Sequence, residues 1–150
     1  MVYILSIIAI IIFDQIAKYL AVIKLKPIDT YPLIENVFHL TYRENNGAAF
    51  SIFSGKQTFL IIVTSIVILG MIFYLLKVYK RPHYTVLCIS LTMIIGGAIG
   101  NLIDRVRFNY VIDFFDFNLI NFAVFNTADT FIVCGAILLS YAILFTKIDI

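Results

Sequence analysis

Four runs of mostly apolar residues divide this chain, at 2–23, 59–76, 84–103 and 128–145. Each can cross a bilayer, since a spanning helix needs about 20 such residues at about 1.5 Å of rise each. Inside lipid every backbone amide must pair within its own segment, so the runs are predicted to be helices. Of the 150 residues, 62% are hydrophobic, well above the roughly 45–50% of soluble domains. This predicts an all-α integral membrane protein with one domain over 1–150.

Charged groups interrupt that apolar background. Asp14 and Lys18 sit inside the first run, Asp104 and Arg105 close the third, and Asp113 and Asp129 flank the start of the fourth. An ionised side chain at membrane depth is costly and usually marks a site with a partner nearby.

The connections set the topology. The short loop 77–83 carries Lys77, Lys80 and Arg81 and no acid. Short basic loops stay in the cytoplasm, which places both termini there and the other two connections outside. Lys147 agrees, while Lys24 and Lys26 disagree but share their longer loop with Asp29, Glu35 and Glu44. Met1, Val2 and Tyr3 lack the basic start of a secretory leader, so the first run is predicted to be a permanent span.

The first outer connection is too long for a turn. Residues 33–42 are rich in β-branched and aromatic types, with a turn signal at Glu35 and Asn36, and read as short strands. Asn45, Asn46 and Gly47 form a further turn signal. A small extracytoplasmic β-sheet over 30–54 is expected. The second outer connection holds Phe114, Phe115, Phe117 and Phe122, which suggests a short amphipathic element in the membrane interface.

Several chemistries find little support. A net charge of +2 without a basic run argues against nucleic acid. Cys88 and Cys134 lie in apolar runs and read as buried small hydrophobes. His39 and His83 are far apart and have no carboxylate motif, so no metal or other cofactor is expected. Ser54 and Lys56 resemble a Ser/Lys pair, but a loop lysine has no burial to lower its pKa.

The aspartates carry more promise. If helices three and four pack side by side, Asp113 and Asp129 can meet. Two close carboxylates cannot both ionise cheaply, so one becomes an acid and the other a base. Such a pair can activate water against an amide. The alternative is ordinary structure: Asn126 caps the fourth helix, Asp129 suits its dipole, and Asp113 is a solvated loop acid. Asp14 and Lys18, four apart on one face, fit an ion pair that pins packing. Asn45, Asn101 and Asn126 can hold a peptide backbone or serve as caps and turns, and Arg105 is free to reach a carbonyl or another acid. Gly96, Gly97 and Gly100 allow close helix contact, or the approach of a substrate chain.

Five blocks carry a resemblance: Phe13-Asp14-Gln15 with Lys18; Asn45 with Gly47-Ala48-Ala49-Phe50; Gly100-Asn101 with Asp104-Arg105; Val111-Ile112-Asp113-Phe114; and Phe125-Asn126 with Ala128-Asp129. In this order the chain resembles the lipoprotein signal peptidases of bacteria, signal peptidase II. The resemblance implies an aspartic endopeptidase of the cytoplasmic membrane that works at its outer face. Its substrate is a prolipoprotein carrying diacylglycerol on its lipobox cysteine, cut just before that cysteine. It implies Asp113 and Asp129 as the catalytic pair. Asn45, Asn101, Arg105 and Asn126 would hold substrate backbone and brace the pair. Asp14 and Lys18 would be structural. Partners are prolipoprotein substrates and membrane lipid, with the protein acting as a monomer. The rival readings are a small transporter, which would spread its acids through the membrane depth, and an assembly protein with incidental acids.

Overall fold

The computed structural model describes residues 1–47 and 55–146. Residues 48–50 of the second motif block, Ser54 and Lys147 lie outside the described residues. Four helices and three strands follow in the order α1 (Val2–Lys24), β1 (Thr30–Ile34), β2 (Phe38–Asn45), α2 (Gln57–Val78), α3 (Thr85–Phe108), β3 (Val111–Asp116) and α4 (Thr127–Phe145). All four helices are long and apolar enough to cross a membrane.

The helices are inverted relative to those of a water-soluble protein. α1 exposes Ile4, Leu5, Ile8, Ile12 and Phe13 and buries Asp14, Lys18 and Ala21. In lipid the apolar face is already in its preferred solvent, so association rests on close packing and polar contacts. α3 is the central helix. Its apolar window is 61% buried against 17% for each of the others, and it packs on α1, α2 and α4.

Glycines make that position possible. A Cβ at Gly96 would lie 2.8 Å from Ile10 Cγ2, and one at Gly100 would lie 2.5 Å from Asp14 Oδ2. A Cβ at Gly97 would strike the backbone carbonyl of Ala128. The stripe therefore serves helix packing, the first of its two readings. Gly97→Ala should force α3 and α4 apart and cost about 1–3 kcal/mol, the usual penalty of overpacking. An unchanged melting temperature in detergent would contradict this.

α3 runs five residues past the expected 103, so Asp104 and Arg105 sit within it rather than at its end. It stops at Asn109, whose φ of 62° supplies the left-handed cap usually given by glycine.

The sheet lies where α1 and α3 end and α4 begins. Its order is β1-β2-β3, all antiparallel. β1 and β2 form the expected hairpin, turning at Asn36 with φ 59°. β3 departs from expectation: 111–116, expected to be loop leading into a short amphipathic element, pairs with β2. Arg43 lies opposite Asp113, and Asn45 opposite Val111. Ala21 of α1 and Leu25 just beyond its end pack with Tyr42, Ile112 and Phe114 to fix the sheet on the bundle. Beyond β3, a 3-10 turn at Asn118–Ile120 exposes Leu119 and Ile120, so only this part keeps an amphipathic character. Cys88 is buried as expected, but Cys134 is exposed on α4.

Candidate active site

Two backbone devices bring the carboxylates together. β3 carries Asp113 across from β2, and the α4 N-terminus carries Asp129 in its first turn. Asn45 is paired with Val111, so Asp113 is its diagonal neighbour on the same face. The Asn45 amide donates to Asp113 Oδ2 at 3.0 Å. Asn126 caps α4 through a reciprocal capping box: its Oδ1 accepts from the Asp129 N–H at 2.9 Å, and Asp129 Oδ2 accepts from the Asn126 N–H at 3.3 Å. The cap expected from sequence is thus present without removing Asp129 from the site.

The remaining carboxylate oxygens are met by amides. Asn126 Nδ2 donates to Asp113 Oδ1 at 2.6 Å, and Asn101 Nδ2 donates to Asp129 Oδ1 at 2.7 Å. All four oxygens of the two acids therefore accept a hydrogen bond. Asp113 is 2% exposed and is not the solvated loop acid of the alternative reading. Burial, and then the negative charge of Asp129, push its carboxyl up from the ordinary 3.8 to about 7. Donors from Asn45 and Asn126 and the charge of Lys18 pull the other way without cancelling the rise.

Asp113 and Asp129 line one cavity of about 740 Å³, together with Asn45, Asn101 and Arg105. Val111, Phe122, Ile132 and Val133 give it apolar walls. Arg105 holds the Gly47 carbonyl through Nη2 at 3.0 Å, while its buried Nε has no partner among the described residues. Asn126 does not line the cavity. It is fully buried behind both acids. No cluster of potential metal ligands occurs among the described residues.

Behind the acids lies a second polar group. Lys18 Nζ is 2.9 Å from Asp14 Oδ2, 2.9 Å from Asp104 Oδ2 and 2.8 Å from Asn101 Oδ1. The expected Asp14–Lys18 pair is thus one arm of a larger cluster. Asp14 Oδ1 also accepts from Thr127 Oγ1 at 2.5 Å and from the Ala128 N–H at 2.9 Å, tying α1 to the start of α4. Asp104 receives Gln15 Nε2 at 3.0 Å and the Ile112 N–H at 3.2 Å, tying α3 to β3. Sequence reasoning did not place Asp104 or Gln15 here. The spacing of Asn101 and Asp104, three apart on one helix face, was the available signal.

A family model described as Signal peptidase (SPase) II matches residues 6–145. The chain belongs to the signal peptidase II family. A lipoprotein signal peptidase of Caldanaerobacter subterraneus subsp. tengcongensis is 50% identical over 140 residues, covering 93% of this chain and 94% of its own length. Those of Halothermothrix orenii and Clostridioides difficile are 46% and 44% identical, covering 93% and 97% of this chain and 92% and 96% of their own lengths. A bacterial membrane enzyme solved by the in meso method at 2.3 Å resolution superposes with a TM-score of 0.87 at 32% identity, covering 99% of this chain and 94% of its own. A second such structure, at 1.9 Å, gives a TM-score of 0.82 at 34% identity and covers 96% of this chain and 93% of its own. The protein is an aspartic peptidase of the signal peptidase II type, which sets aside the transporter and assembly readings.

Proposed function

We propose that Asp113 and Asp129 are the catalytic pair, and that the substrate is a prolipoprotein bearing diacylglycerol on its lipobox cysteine. The observation that carries this reading is the shared cavity: two hydrogen-bonded carboxylates, Asp113 buried and Asp129 half-buried, on one side and apolar walls on the other. With Asp113 raised to about 7, the pair keeps a proton for much of the time near neutral pH. One member is then an acid while the other is a base.

Hydrolysis follows from that asymmetry. The ionised carboxylate takes a proton from water as the water oxygen attacks the scissile carbonyl. The neutral carboxyl donates to the carbonyl oxygen as negative charge builds there. Collapse of the tetrahedral intermediate breaks the C–N bond, and a proton passes to the leaving amine of the lipidated cysteine. Asn45, Asn101 and the free Nε of Arg105 are placed to hold substrate backbone, and Asn126 braces both acids. No metal takes part, so chelators should leave the rate unchanged. Every group named lies on one chain, and a single copy suffices.

The apolar walls favour a substrate that carries its own acyl chains, each buried CH₂ adding about 0.8 kcal/mol. A lipidated prolipoprotein peptide should therefore exceed its unlipidated form in kcat/KM by at least about 10²-fold. Equal rates would overturn the substrate assignment.

The membrane orientation belongs to the same proposal. The basic loop 77–83 lies in the cytoplasm, as do both termini, and the sheet with its cavity faces outward at the surface of a bacterial cytoplasmic membrane. In intact cells with the outer envelope permeabilised, an impermeant thiol reagent should label Tyr31→Cys and spare Lys80→Cys. The reverse pattern would contradict this orientation.

A further inference from the structure

We propose that Lys18 is a positioning residue for the reaction: its ammonium holds the Asn101 amide in the one orientation that turns an N–H toward Asp129. This rests on the reading of Asp113 and Asp129 as the reacting pair. The reasoning is a count of donors and acceptors. An ammonium has three N–H donors and no acceptor. Those of Lys18 are met by Asp14 Oδ2, Asp104 Oδ2 and Asn101 Oδ1 at 2.9, 2.9 and 2.8 Å. The two aspartates fix the ammonium between α1 and α3, so it meets Asn101 as an obligate donor.

The second partner of Asn101 is fixed as well. Asn126 Oδ1 is occupied by the Asp129 N–H at 2.9 Å, which turns Asn126 Nδ2 outward to Asp113 at 2.6 Å and to Asn101 Oδ1 at 3.2 Å. Two donors thus converge on one end of the Asn101 amide, leaving its NH₂ for Asp129 at 2.7 Å. Reversing the amide would set an NH₂ against an ammonium and another NH₂, and a carbonyl oxygen against a carboxylate. Lys18 supplies the shorter of the two bonds that forbid this. It lies 1% exposed and does not line the cavity, so it acts only through Asn101.

Purely structural and positioning roles differ in one experiment. Asp14→Asn with Lys18→Met removes one charge of each sign, so the net charge of the cluster is unchanged. Asp104 keeps its donors from Gln15 and Ile112. Lys18→Met with Asp104→Asn is the mirror variant, in which Asp14 keeps Thr127 and Ala128. If one double fails to fold, the other is read. Single Asp14→Asn and Asp104→Asn are the controls. They retain Lys18 and are expected to turn over, per folded molecule, near the wild-type rate. Each double leaves one buried acid without its ammonium, so the doubles are expected to melt below their controls and, per folded molecule, to lose at least about tenfold in kcat, the size usual for a residue that orients a reacting ligand. The acid limb of their pH–activity profile should move up by about one unit, because a carboxylate that loses a donor ionises at higher pH. The charge of Lys18 also holds Asp113 down, so part of that shift is an altered field, and the fall in kcat is what reports the lost N–H. A folded double with wild-type kcat and an unshifted limb would overturn the role of Lys18. Asp129→Asn is run alongside: if it is active, the pair falls and this proposal with it, whereas inactive Asp129→Asn beside fully active doubles overturns Lys18 alone.

Discussion

Asp113→Asn is expected to lose turnover by at least about 10²-fold, the low end for removing a general acid or base, while melting no lower than wild type. The two effects have one origin. Asp113 is 2% exposed and sits beside Asp129, and its carboxyl ionises only near pH 7 instead of at 3.8. A folded-state pKa above the unfolded one means that the native protein binds more protons over that interval. Stability is then greatest at its acid end and declines as pH rises from about 4 toward 7. Asparagine cannot ionise, so the variant should lack this decline and should gain most, relative to wild type, at neutral pH and above. Melting curves at pH 4.5, 6 and 7.5 and a cleavage assay on the same samples test both halves. A variant that still turns over near the wild-type rate would end the assignment of Asp113. One that melts far lower at every pH would show that Asp113 holds the sheet in place.

Lys18→Met is expected to have the opposite signature and the largest effect on stability. It strands Asp14 and Asp104, which are 0% and 1% exposed and share the same ammonium at 2.9 Å. Breaking a buried pair by removing one partner costs about 3–5 kcal/mol, and here one change orphans two acids. Yield and melting temperature in detergent should both fall steeply. Asp14→Asn alone should cost less, since Lys18 keeps Asp104 and Asn101. A Lys18→Met protein that melts like wild type would show that these acids are not held by the lysine.

The parts of this structure legible in the sequence are those with a local cause. Bilayer thickness sets the length of an apolar run, so the four spans were readable to within a few residues at most ends. A turn residue that accepts positive φ, Asn36, marked the β1–β2 hairpin. The i,i+4 spacing of Asp14 and Lys18 marked their contact, and Asn126 before Asp129 marked the start of α4.

What was hidden depends on contacts between distant segments. β3 carries Asp113 and Asp116, and aspartate is depleted in strands, so propensity pointed away from the element that positions the site. It forms because β2 lies alongside, with the Ile112 N–H and the acids taken up by Asp104, Asn45, Asn126 and Thr41. The overrun of α3 has the same cause: Asp104 can remain helical and buried only because Lys18 and Gln15 reach it from α1. The cap and the catalytic pair also looked like competing explanations of Asp129. The structure makes them compatible, one oxygen serving the capping box and the other facing Asn101.

The most direct test is the mass of the products formed from one diacylglyceryl-modified prolipoprotein by purified wild type and by Asp129→Asn at equal folded concentration. Wild type should release a signal peptide that ends at the residue before the lipidated cysteine and leave that cysteine with a free amine, while Asp129→Asn should release neither product. Cleavage at any other bond, or the same two products from Asp129→Asn at a comparable rate, would contradict an aspartate pair acting at the lipidated cysteine.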